Sequence, residues 1–237
     1  GDVIETHLVE TEPSDGILPR PVPFSVVYED DDILVVDKPA DTPIHPSIGN
    51  YENTLANGIA WYFEQKGEPF VYRCINRLDR DTTGLIVLAK HALSAAVLSQ
   101  AMRSREIHRT YQAFALGETA ASGTIDAPIA RLNGSLIQRT VDFASGERSV
   151  THYRTLAHCS VFSHLELNLE TGRTHQIRVH MAYIGHPLLG DTLYNKTPGT
   201  FPRQALHSAS LSFVHPITGE PLNFHAPLPE DMQNLLT

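Results

Sequence analysis

Leu165-Glu166-Leu167-Asn168-Leu169-Glu170-Thr171-Gly172-Arg173-Thr174-His175-Gln176-Ile177-Arg178-Val179-His180 changes its hydrophobic period halfway along. Residues 165–170 alternate apolar and polar, the spacing of a strand with one buried and one wet face. Gly172 supplies a turn. Thr174 is placed to cap a helix from about 175 to Ile184, which Gly185 would end. A strand wet on one face belongs to an antiparallel sheet rather than to a doubly wound parallel one. The helix start brings free backbone N–H groups together with Arg173 and His175, a setting for an anion such as an RNA phosphate or a carboxylate of the same chain. Arg178, one turn further on, is placed to reach inward to such a carboxylate.

Working outward, Ile33-Leu34-Val35-Val36 follows the turn-like Asp30-Asp31-Asp32 and reads as a buried strand ended by Lys38-Pro39. Asn53 is placed to cap a helix over 54–66, with Leu55, Ile59 and Tyr62/Phe63 on one face. Leu85-Ile86-Val87-Leu88, entered through Gly84, reads as a second buried strand. Residues 91–105 predict an amphipathic helix with Leu93, Val97 and Ala101 inward. Tyr111 to Leu116 and Ser149 to Leu156 read as strands. Helices and strands mix without a βαβ rhythm, and several strands follow one another through short turns, as around Gly134 and Gly146. The class expected is α+β, with a mixed, largely antiparallel sheet flanked by helices. Residues 1–23, acidic and holding Pro13, Pro19, Pro21 and Pro23, read as a tail or linker before a folded body over 24–237.

The net charge of −9 has the wrong sign for a nucleic-acid partner until it is divided by region. Residues 1–41 hold 11 Asp/Glu against Arg20 and Lys38, which is the whole excess, so the rest of the chain is neutral. Within it the bases cluster at Arg73, Arg77 and Arg80, at Arg103, Arg105, His108 and Arg109, and at Arg173, His175, Arg178 and His180. A neutral body with grouped arginines can present a basic groove to phosphates. Two cysteines, Cys74 and Cys159, make neither a disulfide framework nor a CxxC zinc pair, and reduced thiols in the cytoplasm are expected.

A second segment supplies the carboxylate. In Arg77-Leu78-Asp79-Arg80-Asp81-Thr82-Thr83-Gly84, Asp79 lies between two arginines just before a buried strand. A carboxylate beside guanidinium groups stays ionised, which nucleophilic or general-base chemistry requires. A third, Arg109-Thr110-Tyr111-Gln112-Ala113, puts a tyrosine on a strand after a basic stretch, where it can stack on a base or accept a proton. His175, His180, His186 and Asp191 were weighed as metal ligands, but the i, i+5 spacing of His175 and His180 puts them on different helix faces. A serine hydrolase lacks its G-x-S-x-G elbow.

Together these segments resemble the RluA-type pseudouridine synthases over residues 24–230. Four blocks carry the resemblance: Asp32-Ile33-Leu34-Val35-Val36-Asp37-Lys38-Pro39-Ala40 with His45-Pro46; Asn76 through Leu85; Arg109 through Ala113; and Leu169 through His180, running on to Gly185-His186-Pro187-Leu188-Leu189-Gly190-Asp191. The resemblance implies that Asp79 is the essential carboxylate, which initiates cleavage of the uridine C–N glycosidic bond. It implies that Tyr111 stacks on the target base and takes part in proton transfer, and that Arg178 pairs with Asp79. Arg77 would hold the extruded nucleotide or fill the gap it leaves, and Arg80, Arg109, Arg173 and His175 are the remaining RNA-binding candidates. No metal or cofactor is expected, because an isomerisation oxidises and transfers nothing. The expected partner is ribosomal RNA, with transfer RNA as the alternative, and the expected state is a monomer. Two residues depart from the family pattern: Asn76, where His is usual, and Thr83, where Ser is usual. Many relatives carry a small S4-type RNA-binding domain, and Gly1-Asp2-Val3-Ile4 with the acidic stretch after it resembles the junction that follows one. The residues leave two rivals open, a hydrolase of N-glycosidic bonds using Asp79 and an RNA-binding module without activity.

Overall fold

The computed structural model describes residues 14–196, 199 and 201–236. Its strands are β1 (Ser25–Glu29), β2 (Ile33–Lys38), β3 (Thr83–Ala89), β4 (His108–Leu116), β5 (Ser122–Asp126), β6 (Ile129–Arg131), β7 (Arg139–Val141), β8 (Val150–His158), β9 (Phe162–Leu169), β10 (Leu206–Val214) and β11 (Pro221–His225). The helices are α1 (Leu55–Lys66), α2 (Ala92–Arg103), α3 (Gln176–Tyr183) and α4 (Glu230–Gln233). Nine strands make one sheet in the order β1-β2-β3-β10-β4-β9-β8-β5, with β11 also on β10, while β6 and β7 form a separate ribbon. Every pairing is antiparallel except β3 with β10. The α+β class with a mixed, largely antiparallel sheet is therefore the one observed.

The uninterrupted apolar runs in β2 and β3 have a direct cause, because both faces of the sheet are covered there. Leu34, Val36, Ile86 and Leu88 face one core with Leu55, Ile59 and Phe63 of α1 and Ile177 and Met181 of α3. Ile33, Val35, Leu85 and Val87 face a second core with Leu98 of α2 and Leu211 and Phe213 of β10. Each such side chain removed fully from water contributes about 1.5–3 kcal/mol before entropy is counted. The parallel β3–β10 pair needs Gly84. Its φ is 111°, and a Cβ there would lie 2.3 Å from the Ser208 carbonyl oxygen.

Local details depart from the sequence reading. The α1 cap is Thr54, one residue beyond Asn53, because Thr54 and Asn57 form a reciprocal capping box. In α2 the buried line is Ser94 and Leu98, while Leu93 and Val97 are 50% and 39% exposed. His91 caps this helix through the Ser94 N–H and is bonded at 2.8 Å to Asp32 in the turn between β1 and β2, an anchor at the helix start. Thr174 does not cap α3. His175 occupies that position in the left-handed region at φ 59°, and the Gln176 side chain takes the Arg173 N–H at 3.0 Å.

The first part of the expected linker, residues 1–13, lies outside the described residues. Residues 14–23 pack on the body: the Ser14 hydroxyl accepts the Tyr72 N–H at 2.8 Å, the Leu18 carbonyl accepts from Asn57 at 2.8 Å, and Val22 is buried. Among the described residues no helix is long and apolar enough to cross a membrane.

Candidate active site

The loop that ends in β3 is pinned through its backbone, which leaves the Asp79 side chain free to face outward. Asn76 is buried and clamps the loop to β3, donating to the Leu85 carbonyl at 3.1 Å and accepting the Val87 N–H at 2.9 Å. The Thr82 N–H closes a tight turn on the Asp79 carbonyl at 3.1 Å. Lys38, wholly buried, donates to the Pro39 and Arg80 carbonyls at 2.7 and 2.8 Å. Burial drives its ammonium down to about 7, against the opposing pull of Asp81 and Asp79. Arg203, held by Asp231, donates to the Asp81 carbonyl at 3.0 Å. Thr83 puts its hydroxyl 2.8 Å from His207 Nδ1.

Arg178 reaches this loop from α3. Its Nη1 donates to Asp79 Oδ2 at 2.8 Å across 99 residues of chain. Its Nε and Nη2 donate to the two oxygens of Asp191 at 2.7 and 2.9 Å. Burial works against this guanidinium, but the hydrogen bonds and charges of Asp191 and Asp79 outweigh it and raise it above its ordinary range. His175 lies beside the pair, with Nε2 3.8 Å from Asp79 Oδ2 and Nδ1 2.8 Å from the Tyr194 hydroxyl. Burial lowers its imidazole, offset in part by Asp79 and reinforced by Arg178. Tyr111, on β4, is buried and lines the same small recess of about 60 Å³ as Asp79, His175 and Arg178. Burial, more than any neighbour, raises its phenol and keeps it protonated.

The recess shares residues with two larger hollows. One of about 490 Å³ holds Arg77, Asp79, Arg103, Arg105, Arg109, Tyr111 and Arg173, and another of about 480 Å³ holds Arg77, Arg131, Arg139 and Arg173. Gly172 makes room for the first, since a Cβ there would sit 3.1 Å from Arg109 Nη1. Arg77 donates to the Thr174 hydroxyl at 3.4 Å, linking the Asp79 loop to the α3 entry. A surface lined this way can seat a phosphate chain while the Asp79 carboxyl waits in the recess.

The structure thus brings Asp79, Tyr111, Arg178, Arg77, Arg109, Arg173 and His175 to one cleft. Arg80 is the exception among the candidates. Its exposed side chain pairs with Asp41 and lines none of these hollows, so only its carbonyl serves the site. His180 is turned into the core, on Thr151 and the Ala127 carbonyl, and cannot join His175 around a metal. Among the described residues, Asp30, Asp32 and His215 are grouped closely enough to hold an ion. The His215 Nδ1 accepts the Ile217 and Thr218 N–H groups, however, so its Nε2 carries the proton and donates to Asp30, which does not suit a metal ligand. Tyr194 and Arg203 escaped the sequence reading; Lys38 entered it only as the end of a strand and inside a motif, and Asp191 only inside a motif and as a conceivable metal ligand. No local pattern marks a buried ion.

A mixed sheet with a carboxylate–arginine pair beside an arginine-lined cleft is an arrangement that suits an enzyme acting on a polyanion such as RNA. The model of the RNA pseudouridylate synthase family matches residues 32–183. The chain is 43% identical over its whole length to an uncharacterised RNA pseudouridine synthase, YjbO, of Bacillus subtilis, covering 83% of that protein. It is also 43% identical to the ribosomal large subunit pseudouridine synthase D of Vibrio cholerae, over 98% of this chain and 75% of that one. The solved structure of human RNA pseudouridylate synthase domain containing 1 superposes with a TM-score of 0.73 at 26% identity, over 92% of this chain and 86% of that one. The chain belongs to the RNA pseudouridylate synthase family and is an RluA-type isomerase acting on RNA.

Proposed function

We propose that this enzyme converts specific uridines of large-subunit ribosomal RNA to pseudouridine, with Asp79 as the reacting carboxylate. One observation carries the assignment: Arg178 Nη1 holds Asp79 Oδ2 at 2.8 Å in a recess shared with Tyr111, at the foot of an arginine-lined cleft. The choice of ribosomal RNA rests on relatives named for the large ribosomal subunit at 41–43% identity.

The target base must first leave its stack, at a cost of a few kcal/mol. Arg77, Arg109 and Arg173 offset this by holding the phosphates, and Tyr111 by packing on the exposed ring. Asp79 then initiates cleavage of the C1′–N1 bond, using the oxygen that Arg178 does not occupy. The detached uracil turns within the recess, C5 bonds to C1′, a proton leaves C5 and one is added at N1. The atoms balance without an oxidant, a donor group or a cofactor. The buried phenol of Tyr111 remains protonated and serves as a stacking partner and hydrogen-bond donor. Asp191 holds Arg178 charged and oriented while the carboxylate reacts. RNA is the one partner required, and the enzyme works as a monomer in the cytoplasm.

The test is to incubate the purified chain with unmodified ribosomal RNA and map pseudouridine. Conversion without free uracil is expected. Uracil release would identify a glycosidase, and conversion of transfer RNA alone would move the substrate. Asp79→Asn is expected to abolish turnover while RNA affinity survives, and a variant within tenfold of the parent rate would remove Asp79 from its role.

A further inference from the structure

We propose that the turn from Asp191 to Tyr194 is a positioning device that aims both groups facing Asp79 Oδ2, an inference that rests on the reading of Asp79 as the reacting carboxylate. Arg178 is a planar fork, so fixing two of its nitrogens fixes the direction of the third. Asp191 fixes two of them, at 2.7 and 2.9 Å, and the third meets Asp79. The Asp191 side chain has no exposed surface, and its Oδ1 also accepts the N–H groups of Leu193 and Tyr194 at 3.0 and 3.2 Å. The carboxylate is thereby locked to the backbone of its own turn.

Tyr194 completes the device from the other end of that turn. Its ring lies under the Arg178 guanidinium, 5.2 Å from centroid to Cζ. Its hydroxyl oxygen accepts the Arg139 N–H at 2.8 Å, which leaves the hydroxyl proton for His175 Nδ1, also at 2.8 Å. The imidazole then carries its proton on Nε2, which lies 3.8 Å from Asp79 Oδ2, close to it but beyond hydrogen-bond distance. One hydrogen bond, from Arg178, and one longer contact, from His175, thus fall on the same oxygen of Asp79, and both groups are held by residues 191–194. Among the described residues no hydrogen bond engages Oδ1, which leaves that oxygen to react. A neutraliser of Arg178 would need only charge and proximity. The two-point grip and the Tyr194–His175 bond fix angle as well, which suits a reaction sensitive to displacements of about 1 Å.

Tyr194→Phe and Asp191→Asn separate positioning from support. Tyr194→Phe keeps the ring under Arg178 and releases His175, together with the Arg139 N–H at the edge of the neighbouring hollow. It is expected to lower the single-turnover rate about tenfold, with RNA Kd and KM within twofold of the parent. Asp191→Asn is expected to lower that rate on the order of 30- to 100-fold, again without loss of RNA affinity. A readout independent of activity is the Arg178 Nε–H proton resonance, assigned by its absence in Arg178→Lys. It should exchange slowly with water in the parent and in Asp79→Asn, and rapidly in Asp191→Asn. If Asp191→Asn does not fold, Tyr194→Phe alone decides. Parent-like single-turnover rates in a folded Tyr194→Phe, or loss of rate only in step with loss of RNA binding, overturn the proposal. An active Asp79→Asn would overturn the reading of Asp79 and the device with it, a result distinguishable from a dead Asp79→Asn beside an unaffected Tyr194→Phe.

Discussion

Replacing Arg178 with Met tests how much stability the site has invested in one ion pair. Asp191 has no exposed side-chain surface and Arg178 only 6%. In Arg178→Met the Asp191 carboxylate stays in place, because the Leu193 and Tyr194 N–H groups still hold Oδ1, but its Oδ2 loses its hydrogen bond. A buried ion deprived of its partner costs about 3–5 kcal/mol. Asp79, at 23% exposure, can turn to water and adds little. Against a total stability of roughly 5–15 kcal/mol, the single change threatens a large share of the fold. The double variant Arg178→Met, Asp191→Asn removes the uncompensated charge and should recover about 1–3 kcal/mol of that loss, the range of coupling between residues in contact. Urea unfolding followed by tryptophan fluorescence and circular dichroism gives both numbers, provided the two probes coincide. A loss below about 1 kcal/mol in Arg178→Met, or a double variant no more stable than the single one, would refute the reasoning.

Three further outcomes follow from other parts of the molecule. Gly84→Ala forces a side chain against the Ser208 carbonyl at a φ of 111°, and should cost several kcal/mol or abolish folding, in the manner of other special-backbone sites; a soluble variant with the parent melting temperature would show that the β3–β10 pair tolerates a Cβ. Burial depresses His207 from 6.5 to about 4, so between those values the unfolded chain binds a proton that the folded chain refuses. Its stabilising contribution is complete above pH 6.5 and falls by on the order of 3 kcal/mol as pH drops to 4; chemical denaturation at several pH values should show this slope in the parent and a flatter one in His207→Gln. Arg77→Gln and Arg109→Gln should each weaken RNA binding and reduce the slope of log K against log salt by about one ion, measurable by fluorescence anisotropy, and an unchanged slope would take that side chain off the phosphate path.

What the sequence reveals and what it hides divide along a physical line. Strands β2, β3, β4 and β9 were legible because their burial is periodic or continuous, and period is a local property. The inward face of α2 was misread because Leu93 and Val97 are as apolar as Leu98, and the bond from His91 to Asp32 that anchors the helix start is distant in sequence. Asp79 and Arg178 could be nominated from their own neighbourhoods, but their pairing spans 99 residues, so the residues alone do not give it and only the family resemblance implied it. Lys38 read as the end of a strand, since nothing adjacent announces that a lysine will be wholly buried under a loop 42 residues away.

The net charge illustrates the same division and bears on how this chain holds RNA. A total of −9 argues against a polyanionic partner only if charges act as a sum. In the fold they act as pairs. Glu170 binds Arg105, Arg148 and His152, Asp41 binds Arg80, and Glu147 binds Arg173. Among the described residues, Arg77 and Arg109 have no carboxylate at ion-pairing distance, and both line the hollow that contains Asp79. Charges more than about 10 Å away are largely screened at 0.1 M salt, so a phosphate in the cleft responds chiefly to the unpaired guanidinium groups beside it, Arg103 among them. Raising the salt should therefore weaken RNA binding as it would for a basic protein, whatever the sign of the total charge.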